Sequence, residues 1–403
     1  CGSGYDGGVP APTTPTPVAG IAAAFPAQCV TVRGGTVADL EVIPVNLSNP
    51  FVAPPPVDNT GSTGSGALTL NRTTGELTGS ITITALSGPA TAVHIHTGFA
   101  GGNDVVLITL AADAAVTGKF DVPLGTLLAA PELATFAAGG MYIDVHTTAQ
   151  PNGEIRGQLI PGGIDLVRCA LSGDFEVPAV TTTGTGVGYA TVDRVGGNLV
   201  ANVRTSGFSG ATEAHVHRAN AGLNGPVILP LVQTGGAGTD FWEASGTLSG
   251  LDLAGYLAGE LYLNVHTPAN PNGLIRSQLV PKDISVLRFV LAGAQEVPPV
   301  TTGASAVAYT TVHLLTGAVA ANARTSNLAG ANGAHLHQAA IGVNGPIIVP
   351  LVQPDLALTP ELWAASATFT APQLTAFLAS QTYLNVHSAS FPEGEIRGQI
   401  IQP

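Results

Sequence analysis

Nine of the ten histidines in this 403-residue chain fall into three similar groups. Each group is a His-X-His pair followed about fifty residues later by one more histidine. Imidazole is the commonest metal-binding side chain near neutral pH, so a recurring group of three indicates a recurring metal site. The groups are His94, His96 and His146; His215, His217 and His266; and His335, His337 and His387.

On a β-strand, the two histidines of a pair project from the same face, because residues i and i+2 point to one side. His215 and His217 would then lie about 7 Å apart along the strand. His266 would complete a triangle if its strand is a neighbour. Three imidazoles with an open coordination position suit copper or, alternatively, zinc. We therefore predict up to three such ions, one for each group.

A structural role is the alternative for these histidines, as hydrogen-bonding partners of the backbone or of a nearby Arg or Glu. No Cys, Met or carboxylate common to all three groups accompanies them, which argues against blue-copper and calcium sites. An Ile-Arg motif recurs near the end of each copy, and Glu precedes its Arg by two residues in the first and third copies. These residues are predicted to support the fold or to hold a metal-binding histidine in place. They are Arg156, Arg276, Arg397, Glu154 and Glu395.

The remaining acidic motif argues against carboxylate-based catalysis. Glu176 and Glu296 each begin a Glu-Val-Pro motif, and the first copy has Val52 at that position. A catalytic residue missing from one copy would leave that copy inactive. The chain also has no nucleophile elbow, P-loop or dinucleotide fingerprint. We therefore do not expect an enzyme, although redox chemistry at a single metal ion stays open.

Composition favours short strands joined by turns and excludes nucleic acid as a partner. The chain has 51 Gly and 30 Pro, and only 10% of its residues are charged. Its Val, Ile and Thr content is typical of strands. The net charge is −13 and the basic residues are scattered, whereas phosphate binding needs basic clusters. No apolar run reaches the roughly 18 residues that span a bilayer.

The spacing of the histidine pairs, 121 and then 120 residues, indicates three tandem domains. Alternating apolar stretches and Asn-Gly turns predict an all-β fold of antiparallel sandwich or barrel domains. One short helix is expected in each, at Pro131–Ala138, Leu251–Ala258 and Ala371–Ser380. The predicted segments are a flexible tether at 1–28 and domains at 29–161, 162–281 and 282–403.

The second copy contains Ala214-His-Val-His-Arg-Ala, Gly222-Leu-Asn-Gly-Pro-Val and Leu261-Tyr-Leu-Asn-Val-His-Thr. This combination resembles the CHRD domain, a module named after chordin, over about residues 40–403. The first copy departs from it in one loop, Gly102-Asn-Asp-Val. The resemblance implies an extracytoplasmic β-rich domain without a defined activity.

The His-X-His strand is also similar to the copper strand of Cu/Zn superoxide dismutases, so a Greek key of that kind is one form the fold could take. That analogy does not establish a function. The chain shows no fourth copper-binding histidine and no separate zinc cluster, which argues against dismutase activity.

The cysteines indicate an extracytoplasmic location. Cys1 is followed by Gly-Ser-Gly, which resembles the start of a mature bacterial lipoprotein lipidated at Cys1. The tether after it would span about 30 Å from a membrane surface. Cys29 and Cys169 either form a disulfide in an oxidising compartment or remain free thiols. We expect an outer-membrane or cell-surface lipoprotein that is held to the membrane by the lipid on Cys1.

The favoured function is a surface-anchored protein that binds a copper-like ion in each domain. The alternative is a structural or adhesive module that associates with itself, with a cell-surface protein or with a larger extracellular complex. Low charge, tandem repetition and the predicted anchor favour that alternative, in which the histidines are structural. The distance between each pair and its third histidine decides whether the first interpretation is geometrically allowed.

Overall fold

The computed structural model describes residues 25–26, 29–53, 61–234, 240–355, 359 and 361–403. These residues form two compact units, one with 26–286 and 310–316 and the other with Phe25, 287–309 and 317–403. The first unit contains the first two repeats, and the second contains most of the third. Cys1 and most of the expected tether lie outside the described residues, so lipid attachment stays a prediction. Within the described residues, no helix has the length and apolarity that a bilayer crossing requires.

Each repeat is built from short strands and one helix of eight residues. Two strands precede the first repeat: β1 (Phe25–Pro26) and β2 (Cys29–Arg33). The first repeat contains β3 (Leu40–Ser48), β4 (Thr63–Asn71), β5 (Leu77–Thr84), β6 (Ala90–Thr97), β7 (Val106–Thr109), β8 (Ala111–Ala112), β9 (Lys119–Asp121), α1 (Ala130–Ala137), β10 (Met141–Thr147) and β11 (Ile155–Leu159).

The second and third repeats have the same succession of elements. The second contains β12 (Ile164–Leu171), β13 (Thr185–Asp193), β14 (Asn198–Ser206), β15 (Glu213–Arg218), β16 (Val227–Gln233), β17 (Phe241–Thr247), α2 (Gly250–Leu257), β18 (Leu261–Thr267) and β19 (Asn270–Gln278). The third contains β20 (Ile284–Ala292), β21 (Ser305–His313), β22 (Ala318–Ser326), β23 (Ala331–Gln338), β24 (Ile347–Leu351), β25 (Leu362–Thr368), α3 (Ala371–Leu378), β26 (Thr382–Ser388) and β27 (Ile396–Ile400).

The strands of each repeat follow a Greek key, which confirms the predicted antiparallel all-β fold. In the second repeat the order is β19-β18-β15-β16-β17-β14-β13-β12. Strands β15, β16 and β17 are consecutive neighbours, and β18 returns to lie beside β15, which is the Greek-key arrangement. A bridge between Ser172 and Arg276 joins the two ends of this sheet, so the repeat is barrel-like.

Period-two alternation explains why these segments form strands around an apolar interior. In β3, Ile43, Val45 and Leu47 are buried, and the residues between them face outward. The three predicted helices are also present, each before the strand that carries the third histidine. In α3 the helix start is fixed by a capping box between Thr370 and Gln373.

Strand β2 lies in a different sheet from the one that its sequence position suggests. The predicted first domain began at residue 29, but β2 pairs with β12 of the second repeat. The pairing places Cys29 opposite Cys169, and a disulfide joins them. Arg33 also contacts the fully buried Asp165 at 2.9 Å. An edge strand needs partners for its backbone groups, and β2 supplies them to β12.

Candidate metal centre

The structure brings all nine predicted histidines into three compact groups. In each repeat the strand with the His-X-His pair lies antiparallel to the strand with the third histidine. His215 Nδ1 lies 3.1 Å from His266 Nε2, and the corresponding distance from His335 to His387 is 3.0 Å. The potential ligand atoms of each group lie within 4.8 Å of one another. The condition for a shared metal ion is therefore met in each repeat.

Backbone carbonyl groups fix the orientation of two rings in each group. His217 Nδ1–H donates to the carbonyl of Gly225 at 3.0 Å, and His266 Nδ1–H donates to that of Pro271 at 3.0 Å. Because a carbonyl only accepts, Nδ1 carries the proton and Nε2 keeps a free lone pair. The same contacts join His96 to Asp104, His146 to Pro151, His337 to Gly345, and His387 to Pro392.

The second ring of each pair also rests on a tyrosine and an arginine. His217 stacks on Tyr262 with the ring centroids 4.9 Å apart, and the Arg276 guanidinium lies 3.5 Å from the centroid of Tyr262. The Tyr262 hydroxyl accepts a hydrogen bond from the Gly225 amide, and Arg276 donates to the Leu223 carbonyl. Arginine and tyrosine thus hold the loop whose carbonyl orients the histidine.

This support recurs in the other repeats, so the arginines of the Ile-Arg motif act on histidine through tyrosine. The sequence singled out the arginines but not the tyrosines, although Tyr stands four residues before the third histidine in each copy. The stacked pairs are His96 with Tyr142 and His337 with Tyr383, which Arg156 and Arg397 cover.

Glu154, two residues before Arg156, has a separate role. It is fully buried and accepts hydrogen bonds from Ser62 at 2.6 Å, Ser87 at 2.6 Å and Thr147 at 2.7 Å. Burial alone would raise the pKa of Glu154, but together these hydrogen bonds have the larger effect and lower the pKa to about 2. Glu154 therefore fixes the loops of the first repeat as a carboxylate.

In the third repeat, Glu395 accepts equivalent hydrogen bonds from Thr302 at 2.7 Å and Ser388 at 2.5 Å. The second repeat has Leu274 at this position, so the carboxylate is not part of the support common to all three histidine groups.

The electrostatics of the second group keep its histidines in the form that binds metal. Burial lowers the pKa of His217 to about 4. It also lowers the pKa of His215 and His266. A metal ligand must be a neutral imidazole, so these rings are available at neutral pH. In the third repeat, burial lowers the pKa of His335 and His337 in the same way.

The donor set fits a small transition-metal ion. Zinc lies about 2.0–2.1 Å from imidazole nitrogen, so tetrahedral ligand atoms are about 3.3 Å apart. The 3.1 Å between His215 and His266 is close to that value. The three imidazoles line a surface pocket with Tyr262 and Asn264, which gives an ion a path of entry.

The CHRD domain model matches residues 43–159, 167–279 and 287–400. The chain belongs to the CHRD family. CHRD domains are typically extracellular or secreted β-domains, in agreement with the predicted extracytoplasmic location. The chain matches no curated protein and no solved structure.

The first CHRD domain adds a carboxylate to its histidine group. Asp144 Oδ1 lies 3.0 Å from His96 Nε2, 3.0 Å from His146 Nε2 and 4.0 Å from His94 Nδ1. Burial raises the pKa of Asp144, but hydrogen bonds to His146 and His96 lower it to about 2. The Asp144 contact raises the pKa of His146. The second and third CHRD domains have Asn264 and Asn385 at the position of Asp144.

A second carboxyl group lies beside the asparagine in the other two CHRD domains. Asn264 and Glu176 both lie against Gly273. A Cβ atom added at Gly273 would be 2.5 Å from Asn264 Oδ1 and 2.5 Å from Glu176 Oε1. Burial raises the pKa of Glu176 to about 8 and that of Glu296, its counterpart, to about 7. The Glu-Val-Pro motif therefore places a buried acid next to the site but outside the group of three histidines.

Proposed function

We propose that this chain is an extracytoplasmic protein in which each CHRD domain binds one transition-metal ion, copper or zinc, through its three histidines. The proposal depends most on the environment of the Nε2 atom of His217. This atom is buried and has no hydrogen-bond partner among the described residues. The other nitrogen of this ring already donates to the carbonyl of Gly225, so the free lone pair is a ready ligand.

The free energy of burial favours this function over a structural one. A buried polar atom without a partner costs about 1–3 kcal/mol. A fold that places such an atom opposite two other imidazoles is stabilised when a cation satisfies it. Metal binding therefore explains both the orientation of the rings and the free nitrogen.

The competing interpretation is a structural cluster, and one contact favours it. His215 Nδ1 and His266 Nε2 are 3.1 Å apart, which is a hydrogen-bond distance if His215 carries the proton on Nδ1. Such a bond would account for two of the three imidazoles. It leaves His217 Nε2 without a partner, so we favour metal.

The test is metal content of the full chain after demetallation and reloading with copper or zinc. We expect about three bound ions per chain and the loss of one in His217→Ala. The matched control is His313→Ala, because His313 belongs to none of the three groups. It should keep all three ions. Absence of any binding tighter than micromolar, in a chain that remains folded, would overturn the proposal.

A further inference from the structure

We propose that the first CHRD domain contains a zinc-type site of three histidines and Asp144, whereas the second and third contain three-histidine sites suited to copper. This inference rests on the proposed function and concerns which metal each domain prefers. It is carried by two observations, the position of Asp144 and the exchange of residues around it.

Asp144 occupies the position of a fourth ligand. Its Oδ1 atom is 3.0 Å from His96 Nε2 and 3.0 Å from His146 Nε2. Both rings already use their Nδ1–H groups on the carbonyls of Asp104 and Pro151. If each ring carries a single proton, on Nδ1, two imidazole lone pairs and a carboxylate oxygen face one another. Such an arrangement requires a cation between them, either added protons or a metal ion.

The carboxylate changes the kind of metal that the site favours. Three imidazoles and one carboxylate complete the four-coordinate shell that Zn²⁺ takes in closed sites. An anionic oxygen ligand also suits a divalent ion better than Cu(I), which prefers soft or neutral donors. The second and third domains offer only neutral nitrogen around an open position. Their preference should lie closer to copper, and above all to Cu(I).

The first domain differs from the second at a further position beside Asp144, which has Val52 in place of Glu176. The buried Val52 follows a short 3-10 turn in the first domain, where Glu176 follows the same turn in the second. The adjacent glycine has a similar positive φ in both domains, 116° at Gly153 and 126° at Gly273.

Each domain thus has one carboxyl group beside its histidines, at one of two alternative positions. Where the carboxylate reaches the histidines, as Asp144 does, its neighbour is the apolar Val52. Where the neighbour is Glu176, the position facing the histidines is the neutral Asn264. Two carboxylates side by side would repel each other, so the pair of residues changes together. The third domain has the second arrangement, with Glu296 and Asn385.

Competition between Zn(II) and Cu(I) tests the inference on the full chain, with native mass spectrometry to count ions. The first zinc ion should bind at least about tenfold tighter than the next two, and Asp144→Asn should remove that difference. Cu(I) affinity should change little in the variant. His96→Ala should abolish the tight zinc event, whereas His217→Ala should abolish a weaker one.

Two further variants complete the experiment. The reciprocal double change, Asn264→Asp with Glu176→Val, should create a second tight zinc site. The control is Asp113→Asn, which removes a carboxylate of the first domain that pairs with Lys119 and should leave every metal affinity unchanged. Circular dichroism of the metal-free variants establishes that each one is folded.

Three outcomes are distinguishable. Three equal zinc affinities in the unaltered chain, or an unchanged first affinity in Asp144→Asn, would overturn the zinc-type site and leave three-fold metal binding intact. In that case Asp144 only holds protonated histidines. No bound metal in any domain would instead contradict the proposed function itself.

Discussion

The histidine groups of the first and second CHRD domains share their support and differ in their charge. Both place a histidine between a backbone carbonyl and a tyrosine, and both place a buried arginine over that tyrosine. They differ at the residue two positions before the third histidine, Asp144 in one and Asn264 in the other. Different residues therefore set the ring orientation and the ligand charge. Orientation is common to all domains, and charge is adjusted domain by domain.

The shared support predicts the largest effect, which should be equal in the two domains. Arg156→Met and Arg276→Met each remove a buried guanidinium that holds a loop and covers a tyrosine. We expect each change to destabilise its own domain by about 3–5 kcal/mol, because several buried carbonyl and amide oxygens lose their donor at a cost of about 1–3 kcal/mol each. Hydrogen exchange measured by mass spectrometry resolves the two domains.

A loss in only one of the two domains would break the equivalence of the support. Arg276→Lys is the informative partner variant, because lysine keeps the charge but not the planar fork that bonds two groups and stacks on a ring. It should recover only a small part of the stability.

The acid beside the asparagine predicts a pH effect confined to the domains that have it. The pKa of Glu176 is about 8 in the folded chain and ordinarily 4.5, so folding keeps the side chain protonated. Stability is therefore lost as pH rises from 4.5 towards 8, at up to about 1.4 kcal/mol per pH unit. Glu176→Gln should be more stable than the unaltered chain at pH 7 to 8, as measured by urea unfolding.

The matched control for this effect is Glu243→Gln, an exposed strand residue of the same domain. It should have the pH profile of the unaltered chain. If the stability of Glu176→Gln and of the unaltered chain changed with pH in parallel, the Glu176 carboxyl group would be charged at neutral pH. That result would contradict the proposal that the second domain has a neutral acid where the first has Val52.

Glu154 predicts the smallest effect, and one that the second domain lacks because it has Leu274 instead. Glu154→Leu leaves the hydroxyl groups of Ser62, Ser87 and Thr147 without this acceptor, so we expect a loss of about 1–3 kcal/mol. With its pKa at about 2 against 4.5, Glu154 stabilises the fold above pH 4.5, and this contribution disappears as pH falls towards 2.

Thermal unfolding of Glu154→Leu at pH 7 and pH 3 measures both parts of that prediction. The difference from the unaltered chain should shrink at the lower pH. An equal difference at both values would mean that the carboxylate charge contributes nothing.

Much of the site could be predicted from the sequence because β-strand geometry is simple. A period of two places His215 and His217 on one face, and the repeated order of motifs places the third histidine on a neighbouring strand. The antiparallel fold followed from alternating apolar residues and turn signals, and the three helices followed from helix-like apolar spacing. These features depend on local sequence, which the repeats present three times.

The remaining features depend on contacts between distant residues. Asp144 lies on the same strand face as His146. A requirement that the carboxylate be present in all three copies misses it, because the other two copies have asparagine at this position. The ring nitrogen that faces the site is fixed by carbonyl groups in loops, such as that of Gly225. The pairing of β2 with β12 of the second repeat leaves no local signal, although the two cysteines allowed the Cys29–Cys169 disulfide that accompanies it.

X-ray absorption at the metal edge of the loaded chain tests most directly whether these histidines bind an ion. We expect a first coordination shell dominated by imidazole nitrogen, about three per metal at about 2.0 Å, in chains that carry three ions. His217→Ala should lower the number of bound ions by one and leave the spectrum of the remaining ions unchanged. A first shell of water oxygen without imidazole scattering, or the same metal content in His217→Ala, would contradict this expectation.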